Sequence, residues 1–191
     1  QRLSFHPGQF CVLASRTKQV VINAANELNK SAQMMDILGL PSSPGAKINI
    51  HVGGAYGEHD KALARFCENT VKYLTDSAFS RLTVENDDKP GVYSTKMLYD
   101  GVFKKIGIPI VFDSHHHELG PQDIDYHDAF YLARSTWPAG IKQQCHHSNS
   151  KKNYEDPKVP KVSHSSWFYT PFENYGEDVD VVLECKAKEL A

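Results

Sequence analysis

The sequence has few cysteines, no apolar run long enough to cross a bilayer, and no excess of positive charge. Its cysteines, Cys11, Cys67, Cys145 and Cys185, are far apart and form no CxxC pair, so a disulfide scaffold is not indicated and a reducing, intracellular compartment fits best. No apolar stretch approaches the roughly 20 residues of a membrane span. The net charge of −2 disfavours a protein that binds nucleic acid through an extended basic surface.

The first residues also lack the pattern of a leader sequence and an initiator methionine. The chain begins with Gln1 and continues directly into a strand-like segment, without the basic and apolar parts of a signal peptide. Its 191 residues suit one domain with its own hydrophobic core. We therefore expect a single domain over residues 1–191, belonging to a fragment or a processed chain.

Short β-branched runs alternate with longer segments of helical periodicity. The predicted strands are Arg2–Phe5, Lys47–His51, Arg81–Glu85, Pro109–Asp113, Ile141–Gln144 and Val179–Glu184. The predicted helices are Lys18–Leu38, Asp60–Asp76, Ser94–Ile106, Asp125–Thr136 and one beginning near Lys186. In the second helix, the residues expected to face the core are Leu63, Phe66, Thr70, Val71 and Leu74.

Regular alternation of strands and helices predicts a parallel sheet with right-handed crossovers, either doubly wound or closed into a barrel. A (β/α)₈ barrel has eight strands. If the fold is of the (β/α)₈ TIM-barrel type, about two βα units are missing at the front of the chain. The polar segment His147–Ser163 is expected to be a long functional or mobile loop.

Almost every predicted strand ends in, or is followed by, a histidine or an acidic residue. These residues are His6, His51, Glu85, Asp113 with His116 three residues later, His146 and Glu184. Because the carboxyl ends of all strands of a parallel barrel lie on one face, we expect these side chains to converge. His164, which follows the long loop, is a further candidate ligand.

Imidazole and carboxylate ligands together suit Zn²⁺ or Mn²⁺, with Mg²⁺ also possible. We expect two or three divalent ions, with Glu85 able to bridge two of them, as a carboxylate can in two-metal phosphodiesterases. A single histidine or acid at a strand end is more often a hydrogen-bonded structural residue, but its repetition at every strand favours metal binding. His59 and His127 are expected to be solvated, whereas His115 and His117 could support the ligands or bind metal themselves. His147 is left open.

Seven sequence blocks occur in an order typical of one family. They are Arg2–Gln9, Asn49–Gly54, Leu82–Asp88, Val111–His117, His146–Asn149, His164–Ser165 and Asp180–Lys186. Together they resemble the UV damage endonucleases, which are similar to the endonuclease IV type of apurinic-site nuclease in fold and metal site. The resemblance covers nearly the whole chain.

This resemblance implies a metal-dependent (β/α)₈-barrel enzyme that nicks damaged double-stranded DNA on the 5′ side of a UV photolesion or abasic site, leaving 3′-hydroxyl and 5′-phosphate ends. The implied metal ligands are His6, His51, Glu85, Asp113, His116, His146, His164 and Glu184. The implied catalytic residues are Glu85, Asp113, His146 and Glu184. No membrane partner is expected, and the compartment would be the cytoplasm of a bacterium or virus or the nucleus of a eukaryote.

The resemblance also assigns contacts with DNA. Gln9 and Phe10 occupy the positions where the family inserts a glutamine and an aromatic residue, usually tyrosine, into the duplex at the lesion. Contacts with the DNA backbone would come from Lys89, Lys151 and Lys152, with Lys158 and Lys161 nearby. Many relatives have a lysine where this chain has Gln144, and Lys142 could replace it only if it faces the same side of the strand.

Two other functions remain open. Sugar isomerases and epimerases also gather histidines and acids around two metals in a barrel, although the His6–Phe10 block argues against them. A chain that keeps the metal and binds damaged DNA without cutting it is the other possibility, motivated by Gln144 and the missing front units.

Overall fold

The computed structural model describes residues 2–8, 10–121 and 123–191. Within these residues the strands are β1 (Ser4–Phe5), β2 (Lys47–Ile50), β3 (Leu82–Glu85), β4 (Ile110–Asp113), β5 (Gln144–His147) and β6 (Asp180–Leu183). They form one sheet in chain order. Every neighbouring pair is parallel, which confirms the barrel-type (β/α) alternation predicted from the sequence.

The helices lie between successive strands. They are α1 (Lys18–Ile37), α2 (His59–Tyr73), α3 (Asp76–Arg81), α4 (Thr95–Leu98), α5 (Lys104–Ile106), α6 (Ser114–Leu119), α7 (Tyr126–Arg134) and α8 (Lys151–Tyr154). A π-helical turn, Tyr99–Phe103, joins α4 to α5, and Lys188–Leu190 form a 3₁₀ turn where a helix beginning near Lys186 was predicted. None of the helices in the described part of the chain has the length and apolarity to cross a membrane.

The sheet curls so that its first and last strands face each other. Arg2, just before β1, donates through Nη1 to Asp180 Oδ2 of β6 at 2.6 Å and to the Lys142 carbonyl oxygen at 2.8 Å. The strands β2 to β5 are buried throughout, whereas β6 is largely exposed. The hydrophobic core therefore lies under the central strands and the helices that cover them.

Close packing at α2 depends on a glycine in the π-helical turn. A Cβ atom added to Gly101 would lie 2.5 Å from Leu63 Cδ1, well inside the contact distance of two carbon atoms. Leu63, Phe66 and Thr70 of α2 are buried as predicted, but Val71 is 61% exposed, so its predicted place in the core is wrong.

The predicted helix Asp60–Asp76 ends three residues early, at Tyr73, and a separate helix that was not predicted, α3, begins at Asp76. Leu74 is extended, and the side chain of Thr75 accepts a hydrogen bond from Ala78 N at 3.3 Å, capping α3. Arg81, predicted to start a strand, is the fully buried last residue of α3, and its Nη2 lies 2.8 Å from Asp36 Oδ1. A threonine cap inside the periodic segment thus outweighs its helical pattern.

The fifth strand lies three residues later than predicted. Ile141 ends a turn in which its N–H donates to the Pro138 carbonyl oxygen at 3.1 Å. The strand begins at Gln144, which is opposite Asp180 of β6. β-branched Ile141 suggested a strand, but the residues that pair are Gln144, Cys145, His146 and His147, all of which are buried. His146 consequently lies within β5 and points to the same side as Gln144.

A candidate metal centre at the carboxyl ends of the strands

Glu85, the last residue of β3, is the fully buried centre of a histidine cluster. Its Oε2 lies 3.0 Å from His146 Nδ1 and 3.6 Å from His6 Nε2. Its Oε1 lies 3.2 Å from His116 Nδ1 and 3.9 Å from His51 Nε2. These imidazoles come from segments far apart in sequence, and the parallel sheet brings them together because each follows or ends a strand.

Two neighbouring residues fix the orientation of the Glu85 carboxylate. Asn49 of β2 donates through Nδ2 to Glu85 Oε2, and its own Oδ1 accepts a hydrogen bond from Thr83 Oγ1 at 2.9 Å. Asn49 precedes His51 by two residues, so strand alternation places both on the inner face. The sequence carried this alternation signal, but Asn49 was not among the predicted site residues.

Ligand-type atoms lie close enough to share metal ions in two overlapping groups. In each group the atoms are within 4.8 Å of one another, and the groups are His6, His51 and Glu85, and Glu85, Asp113, His146 and Glu184. Glu85 belongs to both, which is the arrangement needed for a carboxylate that bridges two ions. The described residues contain one further group, Asp125, His127 and Asp128, which is exposed at the start of α7.

His116 and His164 lie beside these groups. His116 Nδ1 is 3.9 Å from Asp113 Oδ2, in addition to its approach to Glu85. His164 Nδ1 is 3.6 Å from Glu184 Oε2, and its ring is edge-on to the ring of His116 at 6.1 Å. All eight predicted ligands therefore converge at one end of the sheet.

The side chain of Asp113 is positioned by a hydrogen bond to the first turn of α6. Its Oδ1 accepts a hydrogen bond from His116 N at 2.7 Å and so caps this helix. Asn86 pairs with the backbone of Asp113 in both directions, at 2.9 Å each. The other carboxylate oxygen, Asp113 Oδ2, is buried and receives no hydrogen bond from the described residues. A buried anionic oxygen without a donor fits a cation.

Asp87 supports His51 from outside the two groups. Its Oδ1 lies 3.1 Å from His51 Nδ1, which leaves Nε2 of the same ring directed at Glu85. A carboxylate on the second ring nitrogen fixes the tautomer and orientation of a metal-binding histidine. Asp87 was not predicted, although it lies in the acidic block that follows β3.

The pKa values of the centre are shifted because carboxylates and imidazoles are buried close together. Burial opposes ionisation of Glu85, but the charge of His146 and hydrogen bonds from His116, His146 and His6 hold its pKa well below the usual value. Burial lowers the pKa of His116, but Asp113 and Glu85 together raise it to about 10. Against the same effect of burial, Glu85 and Glu184 raise the pKa of His146 well above its ordinary value. Without metal, the protein thus stabilises protonated imidazoles around a charged Glu85.

The remaining histidines differ from one another. His147 Nδ1 lies 2.6 Å from Ser114 Oγ and its Nε2 2.9 Å from the Thr170 carbonyl oxygen, so both ring nitrogens serve the structure. Burial lowers the pKa values of His115 and His117, which keeps them neutral beside the cluster.

The two histidines expected to be solvated have different environments. His59 is half-buried, with Nε2 3.0 Å from the Gly91 carbonyl oxygen in an exposed contact, so it is partly solvated. His127 is exposed, as predicted.

The predicted DNA contacts lie on the same side of the fold or outside the described part. Gln9 is outside the described residues. Phe10 is 82% exposed, which rules out the alternative of core packing. Lys89 is exposed after β3, and Lys151 and Lys152 lie on α8 with Lys151 half-buried.

Gln144 and Lys142 do not occupy equivalent positions. Gln144 Nε2 lies 3.1 Å from His146 Nε2, inside the curled sheet. Lys142 instead pairs with Asp178 Oδ1 at 2.7 Å in an exposed contact. Lys142 therefore does not take the place beside His146 that the family resemblance assigns to a lysine.

This fold and this cluster define a TIM-barrel-type protein whose histidine and carboxylate side chains could hold metal ions. A comparison with protein families is more specific, since the model of UV-endonuclease UvdE matches residues 1–191. The chain belongs to the UvdE family.

Similar proteins agree with this assignment. A UV DNA damage endonuclease of Bacillus velezensis is 35% identical over 200 residues, covering all of this chain and 59% of the relative. One of Bacillus pumilus is 36% identical over 195 residues, with the same coverage. The chain thus spans about three fifths of the length of these curated relatives.

Solved structures show the same fold. The crystal structure of SacUVDE superposes with a TM-score of 0.83 and 33% identity, covering 99% of this chain and 62% of that one. A D-psicose 3-epimerase from Clostridium cellulolyticum H10 superposes with a TM-score of 0.64 over 95% of this chain, but at 11% identity. The second similarity concerns the fold alone.

Proposed function

We propose that this chain is a metal-dependent DNA-repair endonuclease, or the metal-binding part of one, which cuts the DNA backbone beside UV damage. The observation that carries the proposal is the buried Glu85 carboxylate, surrounded by imidazoles from several strands in a member of the UvdE family. A fully buried charge of this kind requires compensation, which metal ions at the two groups would provide.

The residues that would hold two or three ions are those that converge at the strand ends, His6, His51, Glu85, Asp113, His116, His146, His164 and Glu184. Their mixture of nitrogen and oxygen atoms suits Mn²⁺ or Zn²⁺, with Mg²⁺ as a further possibility. The chemistry supplied at such a centre is Lewis-acid activation of a phosphodiester and of water.

The protein's own residues prepare this centre. Asn49 orients Glu85, Asp87 orients His51, and the cap on α6 fixes Asp113 relative to His116. The raised pKa values of His116 and His146 favour their protonated forms beside Glu85. Loading with metal must displace these protons, so metal affinity should fall as the pH falls.

Substrate contacts would surround this face of the sheet. Exposed Phe10 follows His6 closely and would wedge between bases at the lesion, where a distorted step is easier to open. Lys89, Lys151 and Lys152 would contact phosphates on either side. We also propose that the enzyme cuts on the 5′ side of a photolesion and acts at abasic sites. Its proposed location is intracellular.

A plasmid assay tests the proposal. The chain loaded with Mn²⁺ is incubated with supercoiled plasmid, either UV-irradiated or untreated, and nicked circles are measured. The expected result is nicking of irradiated plasmid only, lost in the Glu85→Gln variant. Equal nicking of both plasmids would overturn damage recognition, and no nicking with metal bound at the site would favour a chain that does not cut.

A further inference from the structure

An exposed group of aromatic side chains lies between β5 and β6. Trp167 is 48% exposed, and Phe168, Tyr169 and Tyr154 are similarly open to solvent. The rings of Tyr154 and Tyr169 are stacked, with centroids 4.6 Å apart and an angle of 9°. Large rings presented together to solvent mark binding surfaces rather than core. We refer to Tyr154, Trp167, Phe168 and Tyr169 as the aromatic platform.

The platform adjoins the candidate metal centre. Ser165 and Ser166 accept backbone hydrogen bonds from Lys186 and Ala187, just beyond the end of β6. Trp167 follows His164 by three residues, so their Cα atoms are at most about 11 Å apart. Phe168 also contacts the ring of His147, with centroids 5.7 Å apart. A strand cut at the centre would therefore pass within reach of the platform.

The backbone that presents these rings is held by side chains. Asn149 Oδ1 accepts a hydrogen bond from Tyr169 N at 2.9 Å, and its Nδ2 donates to Thr170 Oγ1 at 2.6 Å. Glu155 Oε1 accepts from Ser166 N at 2.6 Å and from Trp167 N at 3.1 Å. The platform is thus fixed before it meets a partner, which lowers the entropy cost of binding.

The charges around the platform favour an anionic partner. Lys151 and Lys152 precede Tyr154 on α8, and Lys158 and Lys161 follow it in sequence. Between residues 151 and 161 the four lysines outnumber the two acids, Glu155 and Asp156. Both acids bind the backbone of the loop, Glu155 at Ser166 and Trp167 and Asp156 through Oδ1 at Lys158 N, 2.9 Å away. Lysines around exposed aromatic rings are the combination that binds single-stranded nucleic acid, with phosphates on the cations and bases on the rings.

We infer that the aromatic platform stacks unpaired bases of the DNA strand next to the cleavage site, while the loop lysines hold its phosphates. This inference rests on the proposed endonuclease function and specifies the form of substrate that the site accepts, a strand whose bases are unstacked over a short stretch. Damaged steps supply such a strand because they are already distorted.

Fluorescence provides a direct test, because the chain has two tryptophans. The other one, Trp137, is half-buried at the opposite end of the sheet, where its Nε1 donates to the Ile110 carbonyl oxygen at 2.8 Å. In the Trp137→Phe variant, emission reports on Trp167 alone. Short oligothymidylate should quench this emission to saturation. An oligonucleotide of the same length made only of tetrahydrofuran abasic units carries the same charge without bases and should not quench it.

The matched variant, Trp167→Phe, keeps Trp137, whose emission should not respond to either oligonucleotide. In Trp167→Ala, the Kd for oligothymidylate, measured by anisotropy of a labelled strand, should rise at least about fivefold, as expected when a stacked base loses its ring. The Kd for the abasic oligonucleotide should stay unchanged.

Three results would overturn the inference. One is binding of oligothymidylate, seen by anisotropy, without a change in Trp167 emission. Another is equal quenching by both oligonucleotides. The third is self-association that Trp167→Ala abolishes, which would make the platform a protein interface. None of these results affects damage-dependent nicking, so failure of the inference is distinguishable from failure of the proposed endonuclease function.

Discussion

At the scale of single residues, Glu85 is completely buried, and several imidazoles stabilise its negative charge. We expect Glu85→Gln to keep the fold, because the amide has the same shape, but to remove the charge common to both ligand groups. Mutation of a residue that only hydrogen-bonds to a metal ligand typically lowers metal affinity about 10–100-fold. Because Glu85 would itself bind the metal, we expect a larger loss of affinity. Metal content after dialysis measures this effect. Glu68→Gln, on the exposed face of α2, is the matched control, and unchanged metal content in Glu85→Gln would contradict the bridging role.

Lys47 is a second buried charged residue, at the start of β2 and away from the metal groups. Its Nζ makes no hydrogen bond to the described residues and lies 5.8 Å from the centre of the Trp137 ring. Burial and the charge of Arg2 lower its pKa to about 7, although Asp180 opposes the shift. Because the unfolded lysine titrates near 10.4, Lys47 destabilises the folded protein most at and below pH 7. This penalty disappears as the pH rises from about 7 to about 10.4.

We therefore expect Lys47→Met to stabilise the protein, with a gain that depends on pH. The free energy of unfolding should increase by roughly 1–3 kcal/mol at pH 6.5, the usual scale for an unsatisfied buried polar group. The gain should be smaller at pH 9. Urea unfolding at both pH values provides the measurement, and an equal gain at both would show that the lysine does not titrate between them.

The sequence predicts single residues well where their position along the strand decides their role. His51, Glu85, Asp113 and Glu184 lie at strand ends, so alternation of strands and helices was enough to place them on one face. The supporting residues were missed because their roles depend on a partner from another strand. Asn49, for example, matters only because β2 and β3 pair in a register that sets it beside Glu85.

At the scale of elements, the segment between β5 and β6 depends on Asn149, which is buried and binds the backbone of Tyr169 and the hydroxyl of Thr170. We expect Asn149→Ala to cost about 1–3 kcal/mol, as for other buried groups left without a hydrogen bond. Trypsin should then cut more rapidly after Lys151, Lys152, Lys158 or Lys161. Asn153→Ala, at an exposed position of α8, should leave the cleavage rate unchanged. Equal cleavage of both variants would show that Asn149 does not hold the segment.

Elements were predicted less accurately than strand-end residues, and α3 and β5 show why. α3 was not predicted, and the helix before it was extended to Asp76, because Leu74 continues the apolar periodicity of α2, although Thr75 caps a new helix there. β5 was placed too early because Ile141 has high β-propensity, whereas the paired residues are glutamine, cysteine and histidine. Their strand conformation follows from pairing with β4 and β6, which a local pattern does not contain.

At the scale of the whole molecule, β6 forms an open edge of the sheet within the described residues. Val181 and Leu183 of this strand are exposed. Unpaired strand edges with apolar side chains favour association with another chain. We expect the 191-residue chain to self-associate through β6, and Val181→Lys to weaken this association by about tenfold, the equivalent of one buried valine.

Sedimentation over a range of concentrations measures this effect. Val71→Lys provides the control, because it adds the same charge at an exposed valine of α2, away from the edge. Weakening by both variants alike would indicate general repulsion rather than pairing of β6.

The parallel order of the sheet was predictable at this scale because each strand is followed by a helical segment, and parallel strands require such crossovers. The direct contact between Arg2 and Asp180, which shows that the sheet curls, was not predictable, since it joins residues at opposite ends of the sequence. The choice between a doubly wound sheet and a barrel therefore depended on the family resemblance rather than on periodicity.

Because the strands lie in the sheet in chain order, the clustered residues come from successive parts of the sequence. A nick in the turn at Gly140, remote from the cluster, would leave His6, Glu85 and His116 on one fragment and His146 and Glu184 on the other. The group His6, His51 and Glu85 stays whole on the first fragment, whereas the group Glu85, Asp113, His146 and Glu184 is divided between the two. Uptake of a second metal ion can therefore report complementation, in which two separately purified fragments recombine into one folded protein.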